Sequence, residues 1–349
     1  MNSWTQIAGR SIGSGHRPYI VAELSGNHNG QIERALALME TAKVCGADAI
    51  KIQTYTADTL TIDCALPDFR IRGGLWDGRS LYELYQEAQT PWEWHATLFA
   101  KARELGITIF STPFDESAVR LLEDLGTPAY KIASFEMIDL ELIRCVAATG
   151  KPTIISTGMG SQAEIDEAVA TFRAAGGNQL VLLHCVSGYP TPVDQSNLRR
   201  IPRLADRYNC PVGLSDHTLG IEVAIASTSL GASVIEKHVT LARSDGGPDA
   251  TFSLEPGELK ALVKGVDAAY SALGTGSETR AEVEQGSLVF RRSIYVIRDI
   301  EPGELFSRDN VRVIRPGFGI APKHLREVIG KRSRRSLTRG TALKWDMVG

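Results

Sequence analysis

Seven short tracts in the first two-thirds of this chain share one design, in which an apolar run of β type delivers a polar, charged or imidazole residue at or just past its C-terminal end. They are Tyr19-Ile-Val-Ala-Glu23, Ala49-Ile-Lys51-Ile-Gln53, Ile107-Thr-Ile-Phe-Ser111-Thr112, Ala129-Tyr-Lys131-Ile-Ala-Ser134-Phe-Glu136, Leu182-Leu-His184-Cys, Val212-Gly-Leu-Ser215-Asp-His217 and Val234-Ile-Glu236-Lys-His238. With a further run near 152–157 they give eight strand-like segments, near 19–25, 48–53, 107–111, 128–133, 152–157, 179–185, 211–215 and 233–238. Segments of helical period alternate with them, at 31–45, 91–105, 115–125, 138–149, 161–175, 197–208, 220–230 and 255–273. Such alternation requires a parallel sheet, and eight repeats within roughly 250 residues close as a (β/α)8 barrel more readily than as an open sheet. The loops at the C-terminal rim of a barrel converge on one axis, so reactive tips on strand after strand make an enzyme the default reading. The plainer alternative is a set of buried strands.

The spacing is broken once. The connection from Thr54 to Thr90 is far longer than the few residues usual in such folds. It carries Arg70, Arg72, Trp76, Asp77, Arg79, Tyr82 and Tyr85, a mixture suited either to a sugar face or to an ordinary packed excursion. The pattern changes again after residue 273. Residues 274–289 read as a linker, and residues 290–349 hold short β runs and turn signals at Glu301-Pro-Gly and Arg315-Pro-Gly. The expected organisation is a barrel over 1–273 and a small β-rich domain over 290–349.

A formal charge of -3, from 38 basic and 41 acidic side chains, gives no electrostatic case for nucleic acid or an anionic membrane as partner. The five cysteines are odd in number, widely spaced and without a C-x-x-C pair, which fits a reducing cytoplasm. No leader-like apolar region or membrane-length stretch is present.

In a protein so nearly neutral, an anionic ligand must be caught locally by fixed cations and by hydroxyl or backbone donors. Lys51 and Lys131 stand inside β runs beside apolar neighbours, where an unpaired lysine is costly, so binding of an anion is favoured over a structural ion pair. Thr112, Ser134, Ser187 and Ser215 can supply hydroxyls or merely cap helices. His217 and His238 end the last two strands, where neighbouring imidazoles can share one divalent cation. Glu23 and Glu136 are placed to stabilise a cationic centre, to manage protons, or to pair with the lysines. Asn27, Gln53, Tyr189, Asp249 and Arg315 are further binding candidates. His184 finds no role and reads as structural.

The stretches Ala22-Glu-Leu-Ser-Gly-Asn27-His-Asn-Gly30, Lys51-Ile-Gln53-Thr, Ser111-Thr112-Pro-Phe, Tyr130-Lys131-Ile-Ala-Ser134-Phe-Glu136, Gly213-Leu-Ser215-Asp-His217-Thr and Glu236-Lys-His238 together resemble the sialic acid synthase family. The resemblance covers the whole chain and implies a TIM barrel followed by an antifreeze-like (SAF) domain. It implies condensation of phosphoenolpyruvate with an amino-sugar aldehyde to a nine-carbon 2-keto acid. It also implies manganese as the metal, with magnesium or cobalt as substitutes, and a domain-swapped homodimer in which Arg315 reaches the partner's barrel. The insert Gly73-Gly-Leu-Trp-Asp-Gly and the Ser187-Gly-Tyr189 segment, where N-acetylneuraminate synthases carry Asn-x-Tyr, look like the branch that makes pseudaminic acid. That branch implies 2,4-diacetamido-2,4,6-trideoxy-L-altrose as acceptor. N-acetylneuraminate or legionaminate synthesis is the alternative within the family. Outside it stand a Schiff-base aldolase using Lys51 or Lys131 and a non-enzymatic protein that binds carbohydrate or ice.

Overall fold

The computed structural model describes residues 4–349, and the chain divides into two compact units, one ending at Gly274 and the other beginning at Thr275. The first opens with an antiparallel hairpin, β1 (Trp4–Ile7) and β2 (Arg10–Gly13). Eight parallel strands follow: β3 (Tyr19–Glu23), β4 (Ala49–Thr54), β5 (Thr108–Pro113), β6 (Tyr130–Ile132), β7 (Thr153–Ser156), β8 (Leu180–Cys185), β9 (Val212–Asp216) and β10 (Val234–His238). They close in chain order, β10 pairing with β3. The helices are α1 (Ile32–Cys45), α2 (Ala57–Leu60), α3 (Leu81–Ala88), α4 (His95–Leu105), α5 (Glu116–Asp124), α6 (Leu140–Ala148), α7 (Gln162–Ala174), α8 (Arg200–Tyr208), α9 (Glu222–Ser229) and α10 (Pro256–Leu273). The sequence thus indicated each barrel strand and each long helix, to within a few residues.

The pleat of the strands sorts their side chains. Successive residues point to opposite faces, so Ile20, Ala22, Ile50, Ile52, Leu182 and Ile235 join the large apolar cluster under the helices. Tyr19, Val21, Ala49, Phe110, Ala129, Ile154, Val181, Leu183 and Val234 alternate with them and fill the barrel's interior. Ile7 and Ile12 of the hairpin belong to that inner cluster, so β1 and β2 plug the end where the strands begin. The sequence offered no such element: four-residue strands in a polar, glycine-rich stretch lack a legible alternation. At the other end the same inward face carries polar groups, because two residues beyond Val21 lies Glu23, beyond Ala49 Lys51, beyond Ala129 Lys131, and beyond Val234 Glu236. One face of the sheet is therefore apolar at the bottom of the barrel and ionisable at the top.

The 54–90 connection is not structureless. It contains α2 and α3, the latter opened by a reciprocal capping box between Ser80 and Glu83.

The second unit has its own core of Ile294, Val296, Ile300, Phe306, Val311, Val328 and Leu343. Its antiparallel pair, β11 (Ser293–Val296) and β12 (Val311–Ile314), is extended by isolated bridges such as Tyr295 to Ala342 and Ile300 to Leu337. Its helix α11 (Leu325–Val328) is a single turn. Arg315 follows β12 directly. Among the described residues no helix is long and apolar enough to cross a membrane.

Candidate active site

A cavity of about 440 Å³ opens where the barrel strands end, and its lining mixes strand-end charges with residues of the 54–90 insert. Lys51 and Gln53 stand two residues apart on β4 and so share its inner face. Lys51 Nζ lies 2.7 Å from Glu23 Oε2 and 3.4 Å from Glu236 Oε1, and it donates to Thr112 Oγ1 at 3.3 Å. The lysine thus holds the ion pair that burial demands, with two carboxylates instead of one. Burial works against its charge, but the two glutamates outweigh it and hold the ammonium above its ordinary value.

The carboxylates of this cluster are driven apart. Glu23 is fully buried and is pushed up by that burial despite Lys51 and a 2.9 Å hydrogen bond donated by Gln53. Burial also opposes ionisation of Glu236, yet Lys131 and Lys51 together bring it below the usual carboxylate range. Ser215 donates to Glu236 at 3.2 Å. Glu236 is the functional candidate that the sequence reading passed over. It was legible: it precedes His238 by two residues on β10, so the pleat puts both on one face.

Lys131 differs from Lys51. Its Nζ donates to the Ile132 carbonyl at 3.1 Å, and among the described residues no carboxylate lies within ion-pair distance of it. Burial holds it below the ordinary lysine range. Ser134 and Glu136 line the cavity close by. Ser134 Oγ accepts from the Gly158 N-H at 3.1 Å. Burial raises Glu136 to about 7, and its Oε2 is buried without a hydrogen-bond partner.

His217 and His238 face each other with ring centroids 5.4 Å apart. The Nδ1 of His217 stands 3.1 Å from the Val186 carbonyl, which can only accept, so this nitrogen carries the proton and Nε2 is left to the cavity. Burial opposes a charge on His217, but the Cys185 thiol 3.8 Å away, the Val186 carbonyl and Glu236 raise it overall. His238 is held well below its ordinary value by burial, then by His217 and Lys51. Its Nδ1 is buried and unpartnered by hydrogen bonds, with Asp249 Oδ2 at 3.7 Å. Asp249 is raised by burial and accepts from Ser25 Oγ. Among the described residues no group of three or more His, Cys, Asp or Glu side chains stands ready as a metal cluster. Two imidazoles and a nearby carboxylate nevertheless suit a divalent cation that keeps several positions open. An orphaned nitrogen on one ring and a fixed tautomer on the other are features such a cation would use.

Behind these rings lies a second buried pair. Asp216 and Lys237 are partners in the β9–β10 register and point outward, one residue from each histidine. Lys237 Nζ meets Asp216 Oδ2 at 2.8 Å and the Thr218 carbonyl at 2.6 Å, while Asp216 Oδ1 accepts from Thr218 N-H at 2.9 Å. The bonds fasten the chain immediately after His217.

Of the other sequence candidates, Tyr189 lines the cavity with its ring 4.6 Å from that of His217. Glu23 and Thr112 sit behind Lys51, in contact with it and not on the cavity surface. Ser187 is half-buried beside Cys185, off the lining. Asn27 is fully buried and donates to the Val239 carbonyl and Ser253 Oγ, both at 2.8 Å, so it braces the rim instead of facing the cavity. His184 points outward and meets the Ser196 carbonyl at 2.7 Å. Arg315 belongs to the second unit. Ser25, Tyr55, Ser156 and Cys185 line the cavity although none was singled out. A lone hydroxyl or thiol gives sequence reasoning no signal by itself.

A parallel barrel with paired lysines, staggered carboxylates and two facing imidazoles at its C-terminal rim, followed by a small separate β unit, defines the protein class. The chain belongs to the NeuB family, whose model matches residues 38–278, and a SAF domain matches residues 291–349. It is 46% identical over 326 residues to a pseudaminic acid synthase of Campylobacter jejuni, covering 93% of this chain and 95% of that one. To an N,N'-diacetyllegionaminic acid synthase of Legionella pneumophila it is 38% identical over 341 residues, 96% of each chain. Among solved structures it resembles the N-acetylneuraminic acid synthetase of Leptospira borgpetersenii in complex with citrate, with a TM-score of 0.73 and 30% identity over 82% of this chain and 96% of that one.

Proposed function

We propose that the protein condenses phosphoenolpyruvate with 2,4-diacetamido-2,4,6-trideoxy-L-altrose, giving pseudaminic acid and phosphate. The observation that carries this reading is the two-faced cavity. The strand ends bring Lys51, Lys131, Glu236, His217 and His238 to the lining; the insert brings Leu60, Ile71, Leu81 and Leu84 with the aromatic Tyr55, Trp76 and Tyr85. The charged wall suits a small polyanion. The largely apolar insert side suits an acceptor that carries a methyl group at C6 and acetamido methyls, whereas N-acetylmannosamine brings additional hydroxyls to a side whose polar atoms are few. Kinship to a pseudaminic acid synthase supports the same acceptor.

In the reaction, C3 of phosphoenolpyruvate attacks the sugar aldehyde, forming the new C-C bond, and the aldehyde oxygen takes up a proton. Water adds to the cationic C2 and loses a proton; the C2-O bond to phosphate then breaks, leaving the 2-keto group and inorganic phosphate. Lys131, with no carboxylate at ion-pair distance, holds the donor's anionic groups, assisted by Lys51 and by the hydroxyls of Ser134 and Ser215. Glu23, pinned between Lys51 and Gln53 and raised by burial, holds Lys51 in place at the donor. Glu136, raised to about 7, is suited to pass a proton near neutral pH. Glu236 stabilises positive charge developing at C2. His217 and His238 would hold the divalent cation, manganese foremost, with Asp249 beside them. When bound, such a cation polarises a carbonyl oxygen as a Lewis acid. Tyr189 and Gln53 orient the acceptor.

The working form is a homodimer. Phe135, Ile138, Met159, Val193 and Leu219, all more than half exposed, stand on the rim loops that follow β6 to β9, an apolar band that a second copy's small domain would cover. Arg315 of that copy would then add a cation to the acceptor. A reducing cytoplasm suits the five free cysteines.

The test is phosphate release from phosphoenolpyruvate with a panel of amino sugars. Turnover is expected with the L-altro acceptor; turnover with N-acetylmannosamine alone would overturn the acceptor, and a borohydride-trapped lysine adduct would overturn the chemistry.

A further inference from the structure

The insert packs on the barrel through Tyr55 against Phe114 and through Ala88 against Gly26, but its glycine-rich hairpin hydrogen-bonds to the barrel through one side chain, Trp76. Residues 70–80 form a small hairpin, with Arg70 bridged to Ser80, Ile71 N-H donating to the Arg79 carbonyl at 2.9 Å and Gly78 N-H to the Ile71 carbonyl at 3.0 Å. Its tip turns tightly on Gly73, Gly74 and Gly78, all at positive φ, and Asp77 Oδ1 accepts from Gly73 N-H at 2.5 Å. Arg70, Arg72 and Leu75 are exposed. Trp76 is the exception at the tip. It turns back, donates its indole N-H to the Pro248 carbonyl at 2.9 Å and sets its ring 5.5 Å from that of Tyr189. Every other hydrogen bond that the described hairpin makes through Arg70, Asp77 or Arg79 ends inside the insert.

Both anchors of Trp76 are neighbours of the chemistry. Pro248 precedes Asp249, which stands beside His238, and Tyr189 packs on His217. The same hairpin places Ile71 in the cavity wall, with the Trp76 ring beside it. We propose that Trp76 is a positioning residue for the acceptor: its indole latches the 70–80 hairpin to the loop after β10 and so holds Ile71, the hairpin's part of the apolar wall, at its working distance from the charged residues. This rests on the acceptor-facing reading of that wall. The donor site, built on strand ends, does not depend on the latch.

Trp76→Phe keeps an aromatic ring against Tyr189 and removes only the N-H donor. The expected result is an acceptor KM raised about five- to tenfold, with the KM for phosphoenolpyruvate and kcat held within about twofold. Tryptic cleavage at Arg70 and Arg72 should speed by a similar factor while the thermal midpoint of the full chain is kept. An unchanged acceptor KM, or equal rises in both KM values, overturns the proposal. The sugar used is whichever one the unaltered enzyme turns over, so a different preferred sugar counts against the acceptor assignment and not against Trp76. Should no sugar be turned over, the cleavage rate decides: equal rates for parent and Trp76→Phe overturn the latch.

Discussion

The two walls of the cavity are built by different means. The charged wall stands on strand ends, where each side chain is fixed by the pleat and by contacts within the barrel: Lys51 is tied to two carboxylates, and His217 and His238 are backed by the buried Asp216–Lys237 pair. The apolar wall stands on an insert whose hairpin reaches the barrel through Trp76. A site needs rigidity where charge develops, since preorganised dipoles and ions cost no rearrangement during reaction. It needs variation where substrates differ, and a loop on a rigid scaffold supplies it. On the proposed function, donor chemistry belongs to the barrel and acceptor choice to the insert.

The largest way to break this division is to remove the cation that has no carboxylate partner. Lys131→Met should lower kcat/KM for phosphoenolpyruvate about a thousandfold, measured by phosphate release, with acceptor preference unchanged. His238→Gln should weaken manganese binding by at least about a hundredfold in a direct titration, again without altering the choice of sugar. Glu136→Gln probes the staggered carboxylates through stability. A carboxyl raised to about 7 in the folded state binds its proton more tightly there than in the unfolded chain. Folding stability therefore falls as pH climbs from the ordinary carboxylate range through 7, and the Gln variant escapes this loss. Between pH 5 and pH 8 the parent should lose about 2 kcal/mol relative to the variant in urea titrations. The smallest effect lies on the other wall. Ile71→Asn should shift the ratio of kcat/KM between the trideoxy acceptor and a hydroxyl-bearing amino sugar about tenfold toward the latter, leaving the donor KM alone.

The same division explains what could be read from the sequence. A strand end obeys a period of two, so the barrel and the placement of Lys51, Lys131, His217 and His238 followed from local pattern and from the number of repeats. Glu236 was readable by that rule, since it lies two residues before His238 on the same strand. The ion pairing of Lys51 with Glu236 was not readable, because those residues are 185 apart in sequence (236 minus 51) and meet only through barrel closure. The apolar wall was less legible still. Leu60, Ile71, Leu81 and Leu84 show no single period, and the bond from Trp76 to a carbonyl on the loop after β10 has no sequence signature. Asn27 shows the converse case. Its motif pointed to binding, but the fold spends its amide on bracing the rim.

The most direct measurement is phosphate release from phosphoenolpyruvate labelled with oxygen-18 in the bridging position, with 2,4-diacetamido-2,4,6-trideoxy-L-altrose and manganese, in the presence and absence of chelator. The account predicts that turnover requires the sugar, stops with chelator, and sends the label into inorganic phosphate as the C2-O bond breaks. Label retained in the keto acid, or turnover indifferent to chelator, would contradict it.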